Sequence, residues 1–219
     1  ITLCGGHTEI TDAVNRPVVA GMMAGTVARS ALIEKGRMGA GDSILVTKAA
    51  AVEGTAIIAR EFEERLRSCG MDQAAIESCK RFLDRIAIIP EARIAAASPA
   101  TTAMHDVTEG GIATALEELS IAGEHRLKLH LDRIPVYPET SSVCALMGID
   151  PLGLIGSGSL LITCRQEKCR ELIRTISSKG IQVTRIGEVL ERGNGIEAVS
   201  NGKAAAWPRF EVDEIARLF

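Results

Sequence analysis

Aromatic residues are scarce in this chain: one Trp, one Tyr and four Phe among 219 residues. Because 46% of the residues are nevertheless hydrophobic, the core has to be assembled from Ala, Val, Ile and Leu, as in α/β proteins whose helices cover a sheet. Excess positive charge is missing too. The net charge is −3, the pI is 5.9 and no cluster of Lys and Arg occurs, so the electrostatic footprint of a nucleic-acid binder or of a protein held on an anionic membrane is absent. No uncharged apolar run reaches bilayer-spanning length and no basic, apolar, small-residue leader is present, which reads as cytoplasmic. The six cysteines, Cys4, Cys69, Cys79, Cys144, Cys164 and Cys169, form no C-x-x-C and have no histidine at zinc-finger spacing. A chain long enough for one large domain, or one domain plus part of another, needs no disulfide staples, so reduced and mostly buried thiols are expected.

Ile1-Thr2-Leu3-Cys4 reads as a short buried strand with nothing before it, so the chain is expected to be a piece of a longer protein. Arg16 to Ala28 is apolar and β-compatible, and Glu34 to Asp42, with three glycines among charged residues, reads as a domain edge. Ser43 to Thr47 is a strand, and Gly54 to Ser68 places Ile57, Ile58, Phe62 and Leu66 on one helical face. Asp72 is positioned to cap a helix reaching Leu83, and Pro90 opens a short helix through Ala97. Thr101 to Val107 is a strand followed by a helix from Ile112 to Ala122. Next come a strand over Arg126 to Leu131, a helix over Pro138 to Met147, a strand over Gly158 to Thr163 and a helix over Gln166 to Lys179. Ile181 to Val189 and Ile196 to Val199 are strands, the second closing a hairpin through Asn201-Gly202, and Glu211 to Phe219 is a terminal helix.

Two polar clusters carry glycines that let a ligand approach backbone N–H groups: Gly5-Gly6-His7-Thr8-Glu9 and His105-Asp106-Val107-Thr108-Glu109-Gly110-Gly111. The second follows a strand and precedes a helix, the place where ligands gather in α/β folds. A phosphate there would face Asp106 and Glu109, so either a divalent cation such as Mg²⁺ bridges them or the carboxylates handle a neutral or cationic group. The plainer alternative is that Asp106 or Thr108 caps the helix and the glycines allow tight packing. In the first cluster, Thr8 and Glu9 either offer oxygens to a metal-bound phosphate or belong to an ordinary exposed turn.

Taken in order, GGHTEITDAVNRPVVAGMMAG, GDSILVTKAAAVEGTAIIARE, AMHDVTEGGIATALEEL and GIDPLGLIGSGSLLI resemble the AIR synthase (PurM-like) superfamily. The likeness extends to its hydrogenase-maturation, HypE-like branch and to AIR synthase-related members; it covers essentially the whole chain and is most specific at DVTEGG. The resemblance implies an α/β (α+β) fold in which a mixed sheet with packed helices, Asp42 to Phe219, follows the tail of an ATP-binding domain, Ile1 to Gly41. It implies a homodimer that uses ATP and Mg²⁺ to activate an amide, carboxyl or similar oxygen of a small-molecule substrate through a phosphorylated intermediate. On this template Asp106 and Glu109 are catalytic, Gly5, Gly6, Thr8, Glu9, Thr108, Gly110 and Gly111 contact the nucleotide, and Glu9 and Asp106 are metal ligands. Asn15 and Arg16, beside the first motif, either position the substrate or form a turn with surface charge.

The chain departs from that pattern in several places. His7 stands where several members carry an acidic residue, and the upstream glycine- and aspartate-rich ATP segment is absent, so the fragment alone is expected to be inactive. Gly156-Ser157-Gly158 replaces the Asn-Glu-Gly of hydrogenase-maturation members, and Glu211 to Phe219 replaces their cysteine-bearing tail. A hydrogenase-maturation partner is therefore not favoured. The reading from a different class is a non-catalytic binding or scaffold module that keeps the fold. No histidine or helix N-terminus is evidently paired with a cysteine, so the thiols read as structural, and His125 and His130, beside Arg126 and Lys128, read as a solvated face.

Overall fold

A computed structural model describes residues 2–219, and the chain divides into two units, Ile1–Leu32 and Ile33–Phe219. Every described residue of the first unit is exposed, and its regular structure is one 3-10 turn, Arg29–Ala31. The strand expected over Ile1 to Cys4 is absent for Thr2, Leu3 and Cys4, Ile1 lying outside the described residues, and Arg16 to Ala28 is not a strand either. A strand exists only where its N–H and C=O groups meet a ladder. Here Leu3, Val18, Val19, Met22 and Met23 are all exposed, so β-compatible sequence has no ladder to join.

The second unit contains strands β1 (Ser43–Thr47), β2 (Thr101–Asp106), β3 (His125–His130), β4 (Leu160–Cys164), β5 (Val183–Arg192), β6 (Ile196–Ser200) and β7 (Lys203–Ala205). Its helices are α1 (Val52–Glu61), α2 (Glu63–Ser68), α3 (Gln73–Lys80), α4 (Ile89–Ala97), α5 (Gly111–Gly123), α6 (Pro138–Met147) and α7 (Cys169–Ser177). The strands form one mixed sheet in the order β2-β4-β1-β5-β3-β6-β7, antiparallel throughout except for β3 beside β6. This is the expected α/β (α+β) architecture of a mixed sheet with packed helices.

The period-2 geometry of β1 explains why the sheet is covered on both faces. Ile44 and Val46 join Ile112, Leu116 and Leu119 of α5, whereas Leu45 joins Ala95 of α4 and Leu172 and Ile176 of α7. A third cluster packs Ile58, Leu66, Ile76, Val143 and Met147 from α1, α2, α3 and α6. Among the largest fully buried side chains Phe82 is the one aromatic, as the composition requires.

Local signals set most of the boundaries. The Asp72 carboxylate accepts from the Ala75 N–H at 2.9 Å, Pro90 and Pro138 sit in the first turns of α4 and α6, and Gly148 at φ +71° ends α6. The helix expected over Gly54 to Ser68 is instead two helices, broken at Phe62, whose φ of −119° interrupts the ladder and whose ring meets that of Phe219 edge-on at 5.1 Å. The segment toward Leu83 leaves the α-helix after Lys80 and continues as a 3-10 turn, Arg81–Arg85. A 3-10 turn, Gln166–Lys168, likewise precedes α7. The terminal helix expected over Glu211 to Phe219 is only a 3-10 segment, Glu214–Leu218, too short to nucleate an α-helix without its packing. Among the described residues no helix is long and apolar enough to cross a membrane.

Gly187 in β5 has no room for a side chain: a Cβ there would lie 2.1 Å from the Lys128 carbonyl oxygen. Gly187→Ala is expected to lower the unfolding free energy in urea by about 1–3 kcal/mol or more. Gly36→Ala, where nothing lies within 4 Å, should stay within about 0.5 kcal/mol.

Candidate functional site

Strands β1 and β2 are both antiparallel to β4, and β1 and β3 are both antiparallel to β5, so the carboxyl ends of β1, β2 and β3 point the same way. Asp106 pairs with Leu160, and the Leu160 N–H donates to Thr47 Oγ1 at 3.0 Å. Asp106 and Thr47 therefore lie in one row, two strand spacings or roughly 10 Å apart. The site is built on this row.

The loop from Asp106 to α5 is held by its backbone. The Val107 N–H donates to Ser159 O at 3.1 Å, and Thr108 O accepts from the N–H groups of Gly111 (3.1 Å) and Gly156 (3.2 Å). Gly110 and Gly111 are both left-handed, at φ +73° and +64°, and a Cβ on Gly111 would lie 2.5 Å from Leu152 O. Glycine is thus required at Gly111 by space and by conformation. The helix begins after Gly110, with neither Asp106 nor Thr108 capping it through a side chain. The capping role weighed for those two residues falls to a distant one: Asp213 Oδ2 accepts from the Gly110 N–H at 2.7 Å. Its Oδ1 accepts from Ile155 (3.2 Å) and Ile215 (2.9 Å). The Ala113 N–H goes to Leu152 O at 3.0 Å. Three of the N–H groups on which an anion was expected to rest, those of Gly110, Gly111 and Ala113, are thus already engaged.

The side chains are freer. Asp106 is 61% exposed at the end of β2, with Glu109 also exposed beyond it. His105, 12% exposed, places Nε2 3.1 Å from Glu118 Oε2 and Nδ1 3.5 Å from Asp106 Oδ1, so it stands between two carboxylates. Along the row, Lys48 at φ +55° donates to Ala87 O and Gly158 O, both at 2.8 Å, and pairs at 2.7 Å with Glu91 Oε1, whose side chain is fully buried. Thr47 Oγ1 lies 3.3 Å from the same oxygen. Lys48 thereby fixes the Gly156-Ser157-Gly158 loop to the start of α4.

The structure brings Asp106, Thr108, Glu109, Gly110 and Gly111 together on one loop. Gly5, Gly6, Thr8 and Glu9 belong to the exposed first unit, where His7 Nε2 lies 3.8 Å from Glu9 Oε2. Among the described residues no three His, Cys, Asp or Glu side chains form a cluster able to hold a metal ion. Asn15 and Arg16 are exposed in the same first unit.

None of the buried thiols lies on this row. Burial pushes Cys79 up to about 11 and Cys144 up to about 12, so neither is a ready nucleophile. Cys169 does open a helix, α7, and a hydrogen bond from Cys164 lowers its pKa against the effect of burial. The same bond, with burial, raises that of Cys164. Cys164 pairs with Thr101 and Ser43, which places this couple at the other end of the sheet from Asp106. His125 is 8% exposed, with Nδ1 2.6 Å from Gly123 O, and is not on a solvated face as expected, while His130 is half-buried.

Residues 39–200 match the family described as AIR synthase related protein, C-terminal domain. The carbamoyl dehydratase HypE of Cupriavidus necator is 30% identical over 175 residues, which are 77% of this chain and 46% of that protein. A crystal structure of Escherichia coli HypE superposes with a TM-score of 0.67 at 24% identity, covering 84% of this chain and 55% of that one. A structure of hydrogenase maturation protein HypE in complex with ATP gives 0.63 at 17%, covering 86% and 56%. The chain spans about half the length of the curated relatives it matches.

The Lys48–Glu91 pair gives the site a measurable support. Lys48→Met leaves the Glu91 carboxylate buried without a counter-charge and is expected to cost about 3–5 kcal/mol, and Lys48→Met with Glu91→Leu less than the sum of the single changes. Urea unfolding of the four proteins in the cycle measures both quantities.

Proposed function

We propose, from the premise that this chain belongs to the AIR synthase related family through its C-terminal domain, that it is the substrate-side half of an ATP-dependent phosphoryl-transfer enzyme. The enzyme activates an amide, carboxyl or similar oxygen through a phosphorylated intermediate. The observation that carries the proposal is the exposed carboxylate pair Asp106 and Glu109 on the loop that closes β2, at the sheet end where three strands terminate. The ATP complex of a HypE of the same fold supports nucleotide as the phosphoryl donor.

Mg²⁺ is held by one or two protein carboxylates together with water and substrate phosphates. Asp106 fits one such ligand, and the described residues offer no larger cluster. The α5 N-terminus does not fit a phosphate cradle, because Asp213 holds the Gly110 N–H. The nucleotide's remaining contacts are therefore assigned to the part of the protein that the relatives possess beyond this length, with Glu9, Gly5, Gly6 and Thr8 on the segment leading to it. When bound, ATP would supply the transferable phosphoryl group. The chain's own residues then act by position: Gly110 and Gly111 shape the loop, Thr108 fixes it to Gly156, and Asp106 and Glu109 accept hydrogen bonds or protons from the substrate. Mg²⁺, a homodimer and a cytoplasmic setting complete the proposal.

The second reading is a carbamoyl dehydratase of the HypE type, favoured by the 30% identical relative. Against it stands Gly156-Ser157-Gly158: Ser157 has no carboxylate, and Gly156 packs so closely that a Cβ would lie 2.7 Å from Val107. A scaffold role is the third outcome. ADP release by the whole protein that contains this chain, with and without Asp106→Asn and Glu109→Gln, separates these readings. Enzymatic roles require a loss in kcat of roughly 100-fold or more in at least one variant at unchanged Tm. Full turnover in both removes the assigned roles, and turnover dependent on a carbamoyl group on a thiol selects the HypE reading.

A further inference from the structure

At the end of the sheet opposite Asp106, Ser43, Cys164 and Thr101 stand side by side, because Ser43 of β1 and Thr101 of β2 both pair with Cys164 of β4. Residues directly opposite one another in a ladder present their side chains on one face. Cys164 belongs there to the cluster that Leu45 forms with Leu172 and Ile176 of α7, and Cys169, the first residue of α7, belongs to the same cluster. Only Arg165 to Lys168 separates the two cysteines, turned back by the Lys168 N–H donating to Arg165 O at 3.1 Å. The two thiols meet in a hydrogen bond.

The surroundings of Cys169 differ from those of the other buried cysteines. Its charged neighbours are Arg185 and Arg170, and the Ser43 hydroxyl, which has no other partner, is directed at it. Arg185 stands opposite Leu45 in the register of β5 and so shares the face that α7 covers. Cys79 instead lies near Glu139, and Cys144 near Asp150 and Glu214. Hydrogen bonds from Cys164 and Ser43, two guanidinium groups and the start of a helix favour a thiolate at Cys169. Burial, with the nearby carboxylates, disfavours one at Cys79 and Cys144. Cys169 is 5% exposed and Cys164 is fully buried, so a reagent that reaches them has to be small.

We infer that Cys169 and Cys164 form a redox-active dithiol that a small hydroperoxide converts to a disulfide. Cys169 Sγ attacks one peroxide oxygen, the O–O bond breaks, and the sulfur becomes a sulfenic acid as the other oxygen leaves as water. Cys164 Sγ then attacks the sulfenic sulfur, the S–S bond forms, and the Cys164 proton leaves with the displaced hydroxide as a second water. Two thiols are oxidised and one hydroperoxide is reduced. Because the thiols are already in hydrogen-bond contact, the second step needs no separate encounter. A structural zinc ion needs four ligands, and among the described residues no third His, Cys, Asp or Glu joins the pair.

Trypsin cuts after Arg165 and Lys168, so after digestion the two cysteines stay joined only through a disulfide. The whole protein that contains this chain is treated with hydrogen peroxide while folded, its remaining thiols are blocked in denaturant, and its tryptic peptides are followed by mass spectrometry over time. The expected product is the Cys164 peptide cross-linked to the Cys169 peptide, reversed by dithiothreitol and formed about tenfold or more faster than Cys79 and Cys144 lose their thiols. Oxidation of Cys169 no faster than that of Cys79 and Cys144 overturns the inference. So does Cys169 driven to sulfinic acid while Cys164 stays a free thiol, and so does a cross-link that forms only in urea. In Cys164→Ser the sulfenic acid on Cys169 is expected to persist and to be trapped by dimedone; should that variant fail to fold, the time course of the unaltered protein decides.

Discussion

The Asp213 carboxylate takes the N–H groups of Gly110, Ile155 and Ile215 within 2.7–3.2 Å, and so ties the start of α5, the loop before β4 and the C-terminal segment at one point. Each hydrogen bond to a charged acceptor contributes about 1.5–3 kcal/mol, and a negative charge at a helix N-terminus adds up to about 1 kcal/mol through the helix dipole. The geometry of the candidate site follows from this clamp. Gly110 and Gly111 can stay in left-handed conformations because the groups they would otherwise leave unpaired are met. Asp106 is then left at the tip of β2 with its carboxylate in solvent.

The same clamp changes what the glycines contribute. In an open loop their N–H groups would face an anion; here one is spent on Asp213 and the other on Thr108 O. Chemistry at this end of the sheet therefore rests on side chains, Asp106 and Glu109, and on the loops that Lys48 and Glu91 hold in place. Neighbouring contacts reinforce the clamp: Phe210 packs where a Cβ on Gly153 would lie 2.5 Å from its ring, and buried Glu214 accepts from the Asp150 N–H at 2.8 Å.

Local physics made much of the fold legible. Asp72, Pro90 and Pro138 act on their own helices, and the alternation in β1 acts on its own two faces, so the helices and strands of the second unit stand close to where periodicity places them. The break at Phe62 was hidden because apolar spacing continues through it and only the contact with Phe219 shows why the chain turns. The first unit misled because propensity is expressed only against a partner strand. In the site, the HDVTEGG cluster stood out by composition. Asp213, 103 residues away from Gly110, and the pairing of Lys48 with Glu91, 44 residues from Thr47, carried no sequence signal because packing alone brings them together. His105 stood inside the motif, yet its contact with Glu118 needed the helix to be folded back.

Amide hydrogen exchange at Gly110 and Ile155, compared between the chain and its Asp213→Ala variant, tests the clamp most directly. The account requires both amides to be protected in the unaltered chain and to exchange at least tenfold faster in the variant, with β1 amides unchanged. Fast exchange at Gly110 in the unaltered chain, or protection that survives removal of the carboxylate, would contradict it and return the α5 N-terminus to the role of an open anion site.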